Sequence, residues 1–458
     1  MKTIILGAGE LGKNLAAILA EDHHDVVVVD INQALLQRLQ DRADVMVIHG
    51  NCASVKVLKD AGIDTADILV AATCDEAANI LACKTASHYN VRRTFCRLHS
   101  SDFFDNEDGL TPKSFGITDV IVPEDDCVER IINVLKNSMV VERITFSLPE
   151  AVLLAVRISE SGTIAGIGVR DIPHTDLLRK IRFAGLVRSG TLLVPDGDTV
   201  FRVGDEVYLS GMNEDVERAL KIFEPKASPI KSVIIGDATR LGGKLAARLE
   251  AMGKHVKVIA NDRQLGKSLL EKEGLKALVL HGDPTENDIL REAGVDTCDA
   301  YVSTMKDDED NILSSILAKK MGAGKVVAIT NKAEYIDVVP DMRMIDCGFN
   351  SGLVAVNTVL RAIGGGRITE GIEAALHRCH AYVYEFIVED GAPVANMQIQ
   401  AISNPHRAIF AMVFRQGKVL NAAGDLELQV GDIVAIMATP EKAEKISALF
   451  HSKKGFFS

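Results

Sequence analysis

The stretch from Thr3 to Asp30 constrains this chain more than any other. Thr3-Ile4-Ile5-Leu6 is a β-branched, apolar run that stops at Gly7-Ala8-Gly9-Glu10-Leu11-Gly12, and Leu11, Leu15, Ile18 and Leu19 then recur at helical spacing. A second apolar run, Val26 to Val29, ends on Asp30. Strand, G-x-G-x-x-G turn, helix, strand and acid in this order predict a dinucleotide-binding βαβ unit. Each residue type has a task there. Gly7 permits the tight turn, Gly9 lacks the Cβ that would block a pyrophosphate, and Gly12 lets the helix pack on the strand. Free N–H groups at the helix start face the anion, and the Asp30 carboxylate accepts ribose hydroxyl hydrogens.

A chain of 458 residues, 47% hydrophobic, outgrows the ~250 to 300 residues at which single cores stop enlarging, so at least two domains are expected. With 51 Lys+Arg against 63 Asp+Glu, the net charge of -12 argues against a partner whose phosphates must be neutralised, such as nucleic acid. A small anion held locally remains compatible. The eight cysteines are scattered without a C-x-x-C pair, as expected of reduced, mostly buried cytosolic thiols. The first apolar run is cut by glycines and Glu10 before it reaches signal-peptide length, and no run approaches the ~18 apolar residues of a spanning helix. A membrane connection is therefore expected to go through a partner.

The α/β alternation continues past Asp30, through a helix at Leu35 to Leu39 and a strand Val45 to Ile48 ending in His49-Gly50-Asn51-Cys52. A strand Ile68 to Ala71 follows, then Thr73-Cys74-Asp75 opening a helix with Asn79, then a strand Thr94 to Leu98. Ligands of a doubly wound sheet sit beyond the carboxyl ends of its strands, which places Asn51, Thr73, Asp75 and Arg97 on the side of the glycine turn. Arg97 is the strongest of the four, since a cation there matches a pyrophosphate. The expected organisation is a first Rossmann-like lobe (1–123), a crossover helix (124–142), a small glycine-punctuated α+β lobe (143–224) and a linker (225–230).

The chain then repeats itself. His281-Gly282-Asp283 matches His49-Gly50-Asn51, Ala293-Gly294 matches Ala61-Gly62, and Asp307 with Asn311 matches Asp75 with Asn79, all displaced by 232. Gly431-Asp432 repeats Gly204-Asp205. The second copy is expected as a Rossmann-like lobe (231–349), a crossover helix (350–366) and a small lobe (367–453). The fold class is α/β: two doubly wound parallel sheets, each followed by a small α+β lobe.

The first glycine fingerprint, the Gly-Asn/Asp turns, the Thr73-x-Asp75 helix start, the small lobe and the duplication together resemble the TrkA family, peripheral regulatory subunits of bacterial Trk potassium uptake built from RCK modules. The resemblance covers essentially the whole chain. It implies a cytosolic homotetrameric ring of eight modules, peripheral on the inner face of the membrane. It also implies docking to a potassium-translocating subunit of the TrkH/TrkG type and regulation by NAD(H) and/or ATP/ADP. The first-site residues are then Gly7, Ala8, Gly9, Glu10, Leu11, Gly12, Asp30, Asn51, Cys52, Thr73, Cys74, Asp75, Asn79 and Arg97.

A second, weaker site falls on Gly236, Asp237, Ala238, Thr239, Arg240, Leu241, Asn261, Asp283 and Thr304. Its fingerprint reads as lengthened by one step, with Ala238 in the place of Gly9, Asn261 in the place of Asp30 unless the neighbouring Asp262 turns inward, and Ile329 in the place of Arg97, with Lys332 too far along to be a certain substitute. Phosphate and ribose contacts weaken together. No acid/base centre and no metal cluster is evident, which favours a regulatory module over the alternative, an NAD(P)-dependent oxidoreductase. The histidines His23-His24 and His377-x-x-His380 read as turn or surface residues, and Glu107-Asp108 and Asp307 to Asp310 as solvated charge. The apolar helices after each large lobe would be wet in a lone module, so paired modules are expected to exchange or cross them. Charges at Ile131 and Leu135 together are expected to break the oligomer.

Overall fold

The glycine-bounded apolar runs become parallel ladders. The computed structural model describes residues 1–452 except 101–102, 105–108, 147, 149, 161, 173–174, 226–228, 265, 267–273, 333–334, 336–343, 365–370, 377–378, 380 and 403–407. Strand β1 (Lys2–Leu6) pairs in parallel with β2 (Asp25–Asp30) on one side and β4 (Ile68–Ala71) on the other; β3 (Met46–His49), β5 (Arg93–Arg97) and β6 (Asp119–Ile121) complete the order β3-β2-β1-β4-β5-β6. Helices α1 (Glu10–Glu21), α2 (Gln33–Gln40), α3 (Val55–Asp60) and α4 (Glu76–His88) make the crossovers. The strand order reverses between β1 and β4, the point where such sheets leave a crevice.

Helix α5 (Pro123–Leu135) leads out to an antiparallel sheet of order β10-β9-β11-β8-β7, formed by β7 (Val140–Thr145), β8 (Ala151–Arg157), β9 (Ile181–Arg188), β10 (Thr191–Leu193) and β11 (Glu206–Met212). A short α6 (Thr175–Leu178) precedes β9, and α7 (Asn213–Phe223) closes the lobe. The second half repeats the plan. Strands β12 (Ser232–Gly236), β13 (His255–Ala260), β14 (Leu278–His281), β15 (Ala300–Ser303), β16 (Lys325–Thr330) and β17 (Cys347–Asn350) alternate with α8 (Arg240–Ala251), α9 (Asn287–Ala293) and α10 (Asp308–Met321) in a sheet of order β14-β13-β12-β15-β16-β17. Helix α11 (Ser351–Gly364) then leads to β18 (Gly371–Leu376), β19 (Ala381–Ile387), β20 (Ile409–Arg415), β21 (Lys418–Asn421) and β22 (Ile433–Ala438), closed by α12 (Pro440–Ser447). The fold is α/β, two doubly wound parallel sheets each followed by a small antiparallel lobe. Each small lobe carries the same buried fork. Arg188 grips Asp205 through Nε and Nη2 at 2.8 and 2.6 Å, and Arg415 grips Asp432 at 2.7 and 2.7 Å, each acid following a glycine at φ +90 or +89.

The halves are interlocked. Apolar residues of α5, among them Val128, Ile131, Val134 and Leu135, share a core with Leu245, Ala246 and Leu249 of α8 in the second large lobe. Reciprocally, Ala355, Val356, Val359 and Leu360 of α11 share a core with Leu11, Leu15 and Leu19 of α1 in the first. Lys244 and Arg248 on α8 pair with Asp125 and Glu129 on α5. The small lobes meet too: Ser210 Oγ donates to Ala411 O at 2.6 Å, and Asn421 Nδ2 to Arg179 O and Ile181 O at 3.0 and 3.1 Å. The crossing thus takes place inside one chain, which corrects the expected effect of charging Ile131 and Leu135. Those side chains are 0% and 3% exposed in the chain's own core, so charges there would first unfold the junction between halves.

Candidate functional site

A cleft of about 610 Å³ opens beyond the carboxyl ends of β1 and β4. Its floor is the glycine turn. Gly7 holds φ +104, donates its N–H to Val29 O at 2.7 Å, and stands so close to Ala72 and Thr73 that a Cβ would meet their backbone at 3.1 Å. A Cβ on Gly12 would overlap Gly7 O, so α1 can start this close to the strand only with glycine there. At Gly9 a Cβ would meet nothing within 4 Å, and this residue precedes α1 without a side-chain cap. The helix start is therefore an open anion cradle.

Around it the structure brings together Gly7, Gly9, Glu10, Leu11, Asp30, Asn51, Cys52, Thr73, Cys74, Asp75 and Arg97. The Asp30 carboxylate accepts from Ala8 N at 2.6 Å and Asn32 N at 2.7 Å, which fixes it at the end of β2. Asn51 Oδ1 accepts from Ala53 N at 2.8 Å, and Asp75 caps α4 by accepting from Ala78 N at 3.0 Å. Burial first, and the neighbouring Asp30 charge second, push the Cys52 thiol up to about 11, so it stays an uncharged donor to Val29 O. Arg97 stands at the rim with Nη1 4.0 Å from Cys74 Sγ, and its buried Nε has no hydrogen-bond partner among the described residues. Ile31, 72% exposed, joins Leu35 and Ala78 as an apolar wall. Cradle, carboxylate, cation and apolar wall fit a molecule with an anionic bridge, a hydroxylated sugar and a flat base.

Three expected site residues stand behind the cleft instead. Ala8 is 2% exposed and offers its N–H to Asp30, and Gly12 is packed on Gly7. Asn79 is 1% exposed; it accepts from Thr73 N and Oγ1 at 3.1 and 2.6 Å and donates to Thr73 O and Arg97 O at 3.0 Å, stitching the ends of β4 and β5. Conversely, the cleft includes residues that local reading missed. Ile31 and Leu35 were visible as apolar positions just after Asp30. Asn331, Ser351 and Gly352 come from the other half, where α11 starts, and nothing local marks them. Gly352 sits so near α1 that a Cβ would lie 3.0 Å from Glu10 Cβ.

The second fingerprint has a different register from the one its glycines suggest. Asp237 N donates to Ile259 O as Gly7 N does to Val29 O, a shift of 230, so the loop keeps its length and Asp237 occupies the Gly7 position at φ +96. Ala238 then matches Ala8, Thr239 matches Gly9, and Ala260, not Asn261, stands where Asp30 does. Asp237 supplies the missing carboxylate from the turn itself: Oδ1 accepts from Ala238 N at 2.8 Å and Asn261 N at 3.5 Å. Thr239 caps α8 by accepting from Gly242 N at 3.2 Å, and donates to Thr304 O at 2.8 Å. Thr304 Oγ1 in turn donates to Asp237 O at 3.0 Å. Thus the groups that would meet a phosphate are already engaged, and a threonine side chain fills the place of Gly9. Arg240 and Leu241 open α8, and Asp283 Oδ1 serves Thr285 N at 2.8 Å. Ile329 is buried, and Lys332 pairs with Glu309 at 2.9 Å and lies over the Tyr335 ring.

Among the described residues no three His, Cys, Asp or Glu side chains are grouped as a metal site. In the acidic run, Asp307 caps α10, Asp308 accepts from Asn331 N and Lys332 N at 2.8 and 2.9 Å, and bonds from Tyr335 and Lys332 hold the Glu309 carboxyl down at about 2. His24 faces Asp22 at 3.5 Å in the turn after α1. Glu107, Asp108, His377 and His380 lie outside the described residues. No described helix is long and apolar enough to cross a membrane.

Comparison with known families matches a TrkA-N domain at residues 3–123 and 232–346 and a TrkA-C domain at 153–224 and 383–451. The chain is 27% identical over 466 aligned positions to the Trk system potassium uptake protein TrkA of Vibrio alginolyticus and 28% identical to that of Halomonas elongata, covering 100% of each chain. It is 28% identical to a TrkA homolog of Archaeoglobus fulgidus, covering 98% of this chain and 100% of that one. Among solved structures, the GsuK RCK domain matches with a TM-score of 0.61 at 18% identity, over 98% of this chain and 94% of that one. A GsuK channel bound to NAD matches with a TM-score of 0.60 at 18% identity, over 98% and 78%. At that identity the likeness is one of fold.

Proposed function

The chain belongs to the TrkA family, and from that premise we propose that it is the regulatory subunit of a Trk-type potassium uptake system, sensing NAD(H) or an adenine nucleotide in the first cleft. The observation that carries this reading is the cleft's position. It lies between the anion cradle of α1 and the start of α11, which belongs to the other half, so a molecule seated there touches both halves at once. A ligand shifts a conformational equilibrium only by its differential affinity for the two states, and a tenfold preference is worth ~1.4 kcal/mol. Arg97 and the α1 start would hold the pyrophosphate, Asp30 the ribose hydroxyls, and Ile31 with Leu35 the base. The GsuK channel bound to NAD, which shares this fold, supports the same ligand class.

We propose further that the chain assembles as a homotetramer, docks on the inner face of the cell membrane against a potassium-translocating subunit of the TrkH/TrkG type, and carries its principal site in the first half, the second being structural. The interlocked halves supply two of the eight modules of such a ring. The test is a calorimetric panel of NADH, NAD, ATP and ADP on the full chain, followed by co-purification with the potassium-transport membrane subunit with and without the tightest ligand. Ligand-dependent association supports the reading. Steady NADH oxidation with a carbonyl substrate would overturn it in favour of an oxidoreductase.

A further inference from the structure

The two crossover helices are each seized at the far end by a cation from the opposite large lobe, and the two grips differ. Lys325, the first residue of β16, is 1% exposed, yet among the described residues it touches no carboxylate. Its ammonium donates to Val134 O at 2.6 Å, Asn137 O at 2.8 Å and Val140 O at 2.6 Å, so all three hydrogens are spent on the last turn of α5 and the chain just after it. A helix end leaves carbonyls unpaired and carries partial negative charge, and a compact ammonium satisfies both needs at once. Burial above all, with the Arg157 and Lys319 charges, disfavours the ammonium; Cys347 and Asp346 oppose that, and so does the ring of carbonyls.

The repeat places Arg93 where Lys325 stands, a shift of 232, and Arg93 makes the mirrored grip: Nη1 donates to Ala362 O near the end of α11. This grip is looser. It reaches one helix carbonyl, shares its guanidinium with Asp119 Oδ2 at 2.9 Å, and its side chain is 22% exposed. The helix held by the looser grip, α11, also borders the first cleft, through Ser351 and Gly352 at its opposite end.

We propose that Lys325 is a positioning residue that makes α5 a fixed part of the second large lobe, and that the first large lobe moves against this block at the Val122–Pro123 connection, with the Arg93 grip on α11 as the yielding joint. A ligand in the first cleft then acts on α11 and leaves the end of α5 unmoved. Pro123, at the connection, lines the cleft, so the moving point and the ligand site coincide. The inference rests on the first cleft as the nucleotide site and adds which of two similar joints transmits its occupancy.

The experiment is hydrogen exchange on the full-length wild type, Lys325→Met and Arg93→Met, with and without NADH, alongside NADH calorimetry on each. In the wild type NADH should slow exchange in the first two turns of α11 by about tenfold and leave residues 134–142 within about twofold. Lys325→Met should speed exchange at 134–142 by about tenfold or more and abolish the NADH-dependent protection of α11, with NADH affinity changed less than about threefold. Arg93→Met should speed exchange at the end of α11 and spare 134–142. Equal NADH protection at both joints in the wild type overturns the proposal, and that comparison decides it even if Lys325→Met does not fold. Unchanged exchange at 134–142 in a folded Lys325→Met overturns it as well. Absence of NADH binding in the wild type would instead strike the site reading on which the proposal rests.

Discussion

The two large lobes share strand order, turn length and helix packing, and differ at the few atoms a ligand would touch. In the first, the turn has glycine at positive φ, an open Gly9 and an acid held at the next strand's end. In the second, Asp237 has taken over the positive φ and folds its carboxylate onto Ala238 N, while Thr239 caps the helix from the place of Gly9. The same backbone is therefore kept by two different means: space for a guest in one half, internal hydrogen bonds in the other. On the function proposed above, such closure after duplication would leave one half to sense and the other to brace.

The largest effects should be the ones the lobes share. Val at Gly12 would collide with Gly7 O and Val at Gly242 with Asp237 O, so each substitution should cost more than about 3 kcal/mol and lower the melting temperature alike. A marked inequality between them would show that the two turns are not built on one geometry.

The second effect belongs to the crossing helices, where α5 carries Asp126 at the position that α11 fills with the buried Val354. Burial above all, with the Asp125 and Glu124 charges opposed by Thr358 and Arg361, pushes the Asp126 carboxyl up to about 6. The folded chain then holds a proton more tightly than the unfolded one between 3.8 and about 6, so the cost of ionisation is present above that window and vanishes below it. Asp126→Asn should accordingly stabilise the chain by up to about 2 kcal/mol at pH 8 and hardly at all at pH 4. Denaturant titration at the two pH values checks this, and a gain that grew on acidification would contradict it.

The smallest effect is the sharpest on the comparison itself. Asp237→Gly relieves a left-handed non-glycine residue but gives up its bond to Ala238 N, so stability should change by less than about 1 kcal/mol. The paired change Asp237→Gly with Thr239→Gly should reopen the second cradle and give it measurable affinity for NADH, read by calorimetry. No gain would mean that the loss of an acid at Ala260 already excludes the ligand.

Much of this was legible because it is local. The continuous apolar runs, the helical-period run, the Gly7 and Gly12 requirements and the acid at Asp30 follow from local rules that operate within thirty residues. The second fingerprint misled for an equally physical reason: glycines were used to set its register, whereas the ladder between β12 and β13 sets it, and that ladder puts Asp237 in a glycine's conformation. Asn79 was misplaced because a helix-start amide reads the same whether it points at a ligand or back at Thr73. Ser351 and Gly352 were out of reach, since they arrive at the cleft only through the crossing of helices far apart in sequence.

The most direct measurement of the central claim is NADH calorimetry on the full-length wild type, Gly9→Asp and Asp237→Gly. A carboxylate at Gly9 enters open space in the cradle and repels the pyrophosphate, so Gly9→Asp should lose the high-affinity isotherm by at least about a hundredfold, with the melting temperature nearly unchanged. Asp237→Gly should retain that isotherm at the wild-type stoichiometry. If Gly9→Asp instead keeps the tightest binding, the principal site lies in the second half and the contrast drawn between the two lobes is wrong.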